Sequence, residues 1–330
     1  MLKPLKNARR LLIEADLKPL QGERFQPTGF ADLGAASYQL PDGTPMLLVE
    51  SAQSVANRLE ATVLGPDHEL VPELAGLSYI RVRLTGASDA ATSSLIEAHR
   101  VNSPFIISDE GFQKAFKSEA DYAKGKPLDW QKIARTLFKY DVNSLLHGAF
   151  MANLEDGRIK MARAVTGFIE ARGVREVVSG GVKNNPIDPS GKIRAKNQPK
   201  DVYGNVPYQR VEYTAERITA YFNLDLGLLR SYALGDDAVD LLAGLALFKI
   251  AHFLGGGLRL RTACDFKLVG DVRVVEPAGF AMPAAGALLE LVQGKIKAVK
   301  GMFADPAVTQ ISCETKMSGK EADAPVEGEE

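Results

Sequence analysis

DDAVDLLAGLALFKIAHFLGGGLRLRTACD, running from Asp236 to Asp265, places three local signals end to end. From Val239 to Leu254 almost every position is apolar, which predicts a helix buried on all sides instead of one lying on a surface. Asp236 or Asp237 is expected to cap its N-terminus and complement its dipole. The run stops at Gly255, Gly256 and Gly257, which free the backbone for positive φ and leave no side chain to keep a ligand from the amide N–H groups. Leu258 to Ala263 then alternates. Leu258, Leu260 and Thr262 fall on one face and Arg259, Arg261 and Ala263 on the other, the pattern of a half-buried strand. Guanidinium forks beside bare amides suit phosphate oxygens, although a solvated charged face gives the same pattern without function. The loop has neither the GK[ST] of a nucleotide P-loop nor a G-x-G-x-x-G dinucleotide fingerprint.

The 330 residues are 45% hydrophobic and 25% charged, ordinary for a globular chain with a large core. A net charge of -1 conceals an asymmetry. Residues 181–210 carry Lys183, Lys192, Arg194, Lys196, Lys200 and Arg210 against Asp188 and Asp201, a net of +4, whereas residues 318–330 carry five acids against Lys320, a net of -4. A basic functional segment and an acidic, disordered tail are therefore expected. Cys264 and Cys313 stand far apart without His neighbours at metal spacing, so neither a zinc site nor a disulfide framework is indicated. Asp240, Lys249 and His252 interrupt the apolar run, and the N-terminus MLKPLKNARRLL lacks an apolar h-region. A cytoplasmic protein is expected.

Leu11 to Leu17 alternates as a half-buried strand, with Leu11, Ile13, Ala15 and Leu17 inward. Gln21 to Pro45 is a long Gly- and Pro-rich loop on which Arg24 and Phe25 are candidates for phosphate and base contact, core anchoring being the commoner use of a Phe. Val49 to Val63 reads as a helix whose outer face carries Gln53, Asn57 and Arg58. Ser78 to Leu84 is a second strand with outward arginines, Arg81 and Arg83. Residues 88–150 look largely helical, including Ala91–Val101 and Ile133–Tyr140. His99 and His147 have no nucleophile motif beside them and read as structural. Arg158 to Val178 has strand character bent at Gly167 and Gly173. Gly180 to Pro207 should protrude as a loop or loose hairpin, and Tyr208 to Phe222 shifts its inward phase near Thr214–Glu216, which a bulge or two strands would explain. Val269–Val275 reads as a strand and Ala284–Lys297 as a helix.

Seven stretches in order carry a resemblance: RFQPTGFADLG (Arg24–Gly34), VESAQSVANRLE (Val49–Glu60), NSLLHG (Asn143–Gly148), GGVK (Gly180–Lys183), GNVPYQRVEYTA (Gly204–Ala215), YFNLDL (Tyr221–Leu226) and LRLRTACD (Leu258–Asp265). Over about residues 10–285 the chain resembles the RAMP-superfamily backbone subunit of type I-G (formerly I-U) CRISPR-Cas effector (Cascade) complexes. The resemblance implies an α+β fold with an RNA-recognition-motif-like (ferredoxin-like) core, a four-stranded antiparallel sheet with helices on one face. Residues 1–317 would form one elaborated domain, with a helical insertion at about 88–150 and a basic arm at about 182–206 as thumb. It implies a non-catalytic protein without cofactor or metal that binds guide RNA, other copies of itself and other effector subunits, and meets target DNA through the guide. No membrane is implied. The RNA-binding candidates are Arg24, Phe25, Gln53, Asn57, Arg58, Arg81, Arg83, Lys183, Lys192, Arg194, Lys196, Gly255, Gly256, Gly257, Arg259 and Arg261. The competing readings are a RAMP endoribonuclease using His147 with Asp188 or Asp201, and a sugar-phosphate enzyme using the glycine loop.

Overall fold

A computed structural model describes residues 1–30, 33–87, 89–193 and 204–316. The expected tail and the arm residues Arg194 and Lys196 lie outside the described residues. β1 (Arg10–Pro19) leads through three short strands, β2 (Gly29–Phe30), β3 (Gly34–Ala35) and β4 (Ser37–Gln39), to β5 (Pro45–Glu50) and α1 (Ala52–Ala61). β6 (Tyr79–Gly86) and β7 (Ala91–Ser93) are followed by α2 (Pro104–Ile107), α3 (Glu110–Glu119), α4 (Trp130–Tyr140) and α5 (Val142–His147). Next come β8 (Ala149–Phe150), β9 (Lys160–Met161), β10 (Val165–Arg172), β11 (Arg175–Lys183), β12 (Val206–Thr214) and β13 (Arg217–Asp225). The helices α6 (Leu226–Ser231) and α7 (Asp236–Gly255) precede β14 (Arg259–Arg261), β15 (Cys264–Leu268), β16 (Arg273–Glu276), α8 (Ala285–Ala298) and β17 (Val308–Thr315).

The main sheet is antiparallel and ordered β14-β15-β1-β13-β10-β5-β4, with β16 also pairing with β1. β1 has the expected alternation: Leu11, Ile13, Ala15 and Leu17 are all buried. They pack toward the face that α1 and α7 cover. Ser51 caps α1, its hydroxyl accepting from the Ser54 amide, and Val55, Ala56 and Leu59 form the buried stripe. Gly167 lets this layer close. A Cβ there would stand 2.7 Å from Phe222 Cδ1 and 3.0 Å from Val55 Cγ1.

α7 is the axis of the core, buried from Leu241 through Ile250. It is long and apolar enough to cross a membrane, with a mean hydropathy of 1.6, yet 72% of that window is buried inside the fold. Its cap is Gly235 at φ 92°, and Asp236 and Asp237 occupy the first turn instead of the cap position. Lys249 is fully enclosed, its ammonium donating to Asn143 Oδ1 and lying 2.9 Å from His147 Nε2. Burial lowers the Lys249 ammonium to about 8, with Glu60 and Asp141 opposing, and holds His147 well below its ordinary value with help from the Lys249 charge.

Two expectations are corrected, and of the two forms expected for the arm the hairpin is found. Ala91–Val101 is not a helix: Ala91–Ser93 adds to β6 as β7, and only a 3-10 turn at Arg100–Asn102 follows. Val269–Val275 is not one strand: residues 269–272 connect β15, which ends at Leu268, to β16, and only residues 273–275 are in a strand. The arm is more regular than a loop, because β11 and β12 pair without a break from Arg175↔Thr214 to Lys183↔Val206. Gly173, at φ 65°, turns the chain out of β10 into β11. On the return strand β12 gives way to β13 at Ala215–Glu216, which explains the phase shift there. The arm is thus the bent continuation of the β10–β13 hairpin.

Candidate nucleic-acid interface

The N-terminus of α1, the loop after β1 and the β14–β15 turn meet around Glu50, and the same loop reaches the base of the arm. This carboxylate is completely buried and accepts from Arg58 Nε at 2.6 Å, from Arg261 Nη2 and from the Ser54 hydroxyl. Arg261 Nη1 also donates to the carbonyls of Gln26 at 3.2 Å and Val49 at 3.1 Å, and Arg58 Nη2 donates to the Leu260 carbonyl. Two guanidiniums therefore tie three chain segments to one buried charge. Burial pushes the neighbouring Cys264 thiol up to about 11, against the pull of Arg261.

Arg261 is consequently not the outward phosphate ligand that alternation placed there. β14 ends after three residues, its register with β15 shifts between Arg259 and Arg261, and Ala263 adopts φ 57°. That turn folds Arg261 inward until its side chain is 10% exposed, while Arg259 remains 77% exposed, 3.9 Å from Asp265. Leu258 and Leu260 are buried as their phase requires.

Phe25 is a second correction. At 1% exposure it packs its ring 5.5 Å from Phe266, and its backbone bridges Tyr213 in both directions. It anchors the loop to the core and offers no face to a base. Its neighbour Arg24 stays outside, 3.1 Å from Glu212 at the arm base. Gln53 and Asn57 lie exposed on α1, joined by a 2.8 Å hydrogen bond from Gln53 Nε2; Arg163 donates to Gln53 Oε1.

Arg81 and Arg83 belong elsewhere. Their strand β6 lies in a separate sheet, between β17 and β7, and Arg81 is held 2.8 Å from Glu69. The structure thus divides the arginine-faced strands between two sheets. Gly255 to Gly257 are exposed, as a ligand loop requires, but they terminate α7 at its carbonyl end. The dipole there carries partial negative charge, which favours cations over phosphate.

Tyr208 and Arg210 were missed as candidates. On one side of the arm Gly181 lies opposite Tyr208, and a Cβ on Gly181 would stand 2.8 Å from the Tyr208 hydroxyl. Arg210 sits 5.9 Å from the Tyr208 ring centroid. Ser179 donates to Glu212 at 3.0 Å on the same side, and Lys183 is exposed beyond them. The other side pairs Val178 with Val211 and Val182 with Pro207, all exposed. Nearer the tip, Asp188 accepts from Ser190 Oγ at 3.0 Å and from the amides of Lys192 and Ile193, closing a local turn from which Lys192 projects.

A family model described as CRISPR-associated protein GSU0053 (Cas_GSU0053) matches residues 11–176, half of the chain. The chain belongs to that family. The matched region runs from β1 through the first residues of the arm and includes Arg24, Glu50 and Arg58. No curated protein matches the sequence. Among solved structures the chain is similar to one titled "CRISPR RNA-guided surveillance complex, pre-nicking", with a TM-score of 0.42 and 13% identity over 78% of this chain and 76% of that one. It is also similar to Csc2 of Thermofilum pendens, with a TM-score of 0.31 and 9% identity over 91% and 79% of the two chains.

Proposed function

We propose that the chain is a guide-RNA-binding backbone subunit of a type I-G CRISPR effector complex, a RAMP-superfamily protein without catalytic role, cofactor or metal. Copies would stack along the guide in the cytoplasm, grip its backbone and present its bases to invading DNA. Membership of a CRISPR-associated family carries this reading. The fold supports it: β1, α1, β10, β13, α7 and β15 follow one another in the chain while β15, β1, β13 and β10 lie side by side. We read that arrangement as an RNA-recognition-motif-like core, and the arm that bends out of its central hairpin as the thumb.

The cations that remain available favour phosphate recognition. Arg24, Arg259, Lys183 and Lys192 are exposed on the loop, the β14–β15 hairpin and the arm. Contacts from such groups grip a polyanion with little regard to base sequence and weaken as salt displaces them. Geometry disfavours the endoribonuclease alternative at His147, which is 1% exposed inside the core, and at Asp188, which is engaged by its own turn; Asp201 lies outside the described residues.

Titration with labelled guide-length RNA at several salt concentrations, with native mass measurement on guides of increasing length, tests the proposal. Salt-dependent, sequence-tolerant binding without cleavage and a stepwise rise in bound copies are expected. RNA cleavage, or no RNA binding at low salt, would overturn it.

A further inference from the structure

The face of the main sheet turned away from α1 and α7 carries an ordered set of side chains that the phosphate-contacting surface leaves unused. Register places Phe168 of β10 opposite Tyr221 of β13, and Tyr221 opposite Glu14 of β1. The two rings lie stacked, centroids 5.1 Å apart and planes 26° from parallel, and Phe168 is 36% exposed. The adjacent row is Thr166, Asn223 and Leu12. Together with Val275 these residues line a depression of about 210 Å³.

The charges around the depression are largely engaged with one another. Arg273 holds Asp16 at 2.6 Å and Glu14 at 3.0 Å, Arg217 holds Asp16 at 3.0 Å, and Tyr38 donates to Glu170 at 2.6 Å. What is left to a ligand is a flat aromatic floor edged by the Thr166 hydroxyl and by the Asn223 amide, whose oxygen also accepts from Arg10 Nη1 at 3.3 Å. A depression of this volume admits one ring system, whereas a stable protein partner buries about 800 Å² per side.

We propose that Phe168 and Tyr221 form a stacking site for a base of single-stranded nucleic acid, with Asn223 and Thr166 at its edge. This rests on the RNA-binding reading above and adds to it a contact that is not electrostatic. Stacking on aromatic rings tolerates any base, because each has a π face, and it carries no counterion release. The site therefore contributes affinity without contributing to the salt slope, unlike the exposed cations.

The test uses the full chain with single-stranded RNA and DNA of one sequence, each also prepared with 5-bromouracil for photo-crosslinking. Phe168→Leu with Tyr221→Leu keeps apolar surface and removes the stack. Affinity is expected to fall at least about fivefold with an unchanged salt slope, and crosslinks on the unaltered protein should map to peptides containing Phe168 or Tyr221. The RNA and DNA arms show which strand occupies the site. If the double variant does not fold, Phe168→Leu alone and the crosslink map decide. Normal affinity of the variant with crosslinks elsewhere would overturn the site while leaving RNA binding intact. Loss of self-association without nucleic acid would instead assign the face to a second copy and overturn it. An unaltered protein that binds neither strand would refute both readings.

Discussion

Arg259 and Arg261 are two residues apart on one short strand, and replacing each by Ala should give opposite phenotypes. Arg261→Ala removes one of two guanidiniums from the fully buried Glu50 and two donors from the Gln26 and Val49 carbonyls. Breaking a buried pair costs about 3–5 kcal/mol. Arg58 and Ser54 still reach Glu50, so the lower end, about 3 kcal/mol, applies. An unfolding entropy of about 2.1 cal/mol/K per residue over 330 residues is about 0.7 kcal/mol/K, so the melting temperature should fall by about 4 °C. Arg259, 77% exposed and 3.9 Å from its partner, should change stability by less than about 0.5 kcal/mol. Its loss should instead weaken RNA binding and lower the salt slope by about one. Differential scanning fluorimetry and salt-titrated anisotropy on both variants provide the comparison. A normally melting Arg261→Ala protein with a reduced salt slope would refute the assignment of Arg261 to the interior.

Leu260→Ala, at a buried position, should cost roughly 2–5 kcal/mol in chemical denaturation. Gly167→Ala should cost roughly 1–3 kcal/mol, because the added methyl meets Phe222 and the Tyr221 carbonyl at 2.7 and 2.9 Å; a neutral result would show that the α1 layer can shift. Lys183→Ala with Lys192→Ala should leave the melting curve in place and lower the RNA salt slope by up to about two; an unchanged slope would remove both lysines from the phosphate surface. The pH dependence of stability should carry the mark of His147, which burial keeps neutral in the fold. As pH falls from about 7 to 6 the unfolded imidazole binds protons that the folded one does not, so stability falls with pH in that window. Asp141, raised to about 6 by burial, acts in the opposite sense, because the folded chain holds a proton there that the unfolded one releases; its effect begins at the lower end of that window and grows below it. His147→Asn should flatten the profile between pH 7 and 6, and an unchanged slope in urea titrations at the two pH values would exclude the imidazole as its source.

What sequence revealed and what it hid divide along a physical line. β1 and α7 were legible because each is settled by local periodicity, two for a half-buried strand and continuous apolarity for an enclosed helix. The arm was legible by charge and Pro content, but its regular ladder was not, since pairing between residues as distant as Arg175 and Thr214 leaves no local trace. The segment ATSSLIEAHRV has the composition of a helix, yet Ala91–Ser93 finds its partner in β6, a tertiary choice that overrides propensity. Phe25 reads the same on a loop whether it anchors or waits for a ligand; only its bridge to Tyr213 distinguishes them. Phe168 and Tyr221 lie in stretches with strand character, and what makes them a pair is cross-strand register, which leaves no local trace. Arg261 failed for a narrower reason: period-two alternation holds only while the strand lasts, and β14 lasts three residues.

The failure at Arg261 explains how the remaining cations are held. A loop carrying Arg24 and a hairpin carrying Arg259 have little reason to keep fixed positions relative to each other or to α1, because exposed charges of one sign repel. Glu50 supplies the reason. Arg58 from α1 and Arg261 from the hairpin both donate to this one buried carboxylate, and Arg261 also donates to the Gln26 carbonyl of the loop, so the three segments share a single anchor. Enclosed ion pairs are screened by salt far less than exposed ones, so the anchor persists under conditions that strip phosphates from the surface. One arginine of the strand is used inside so that the other is presented at a defined place outside, which is the division a protein needs if it is to grip a flexible polyanion and release it without losing its own shape.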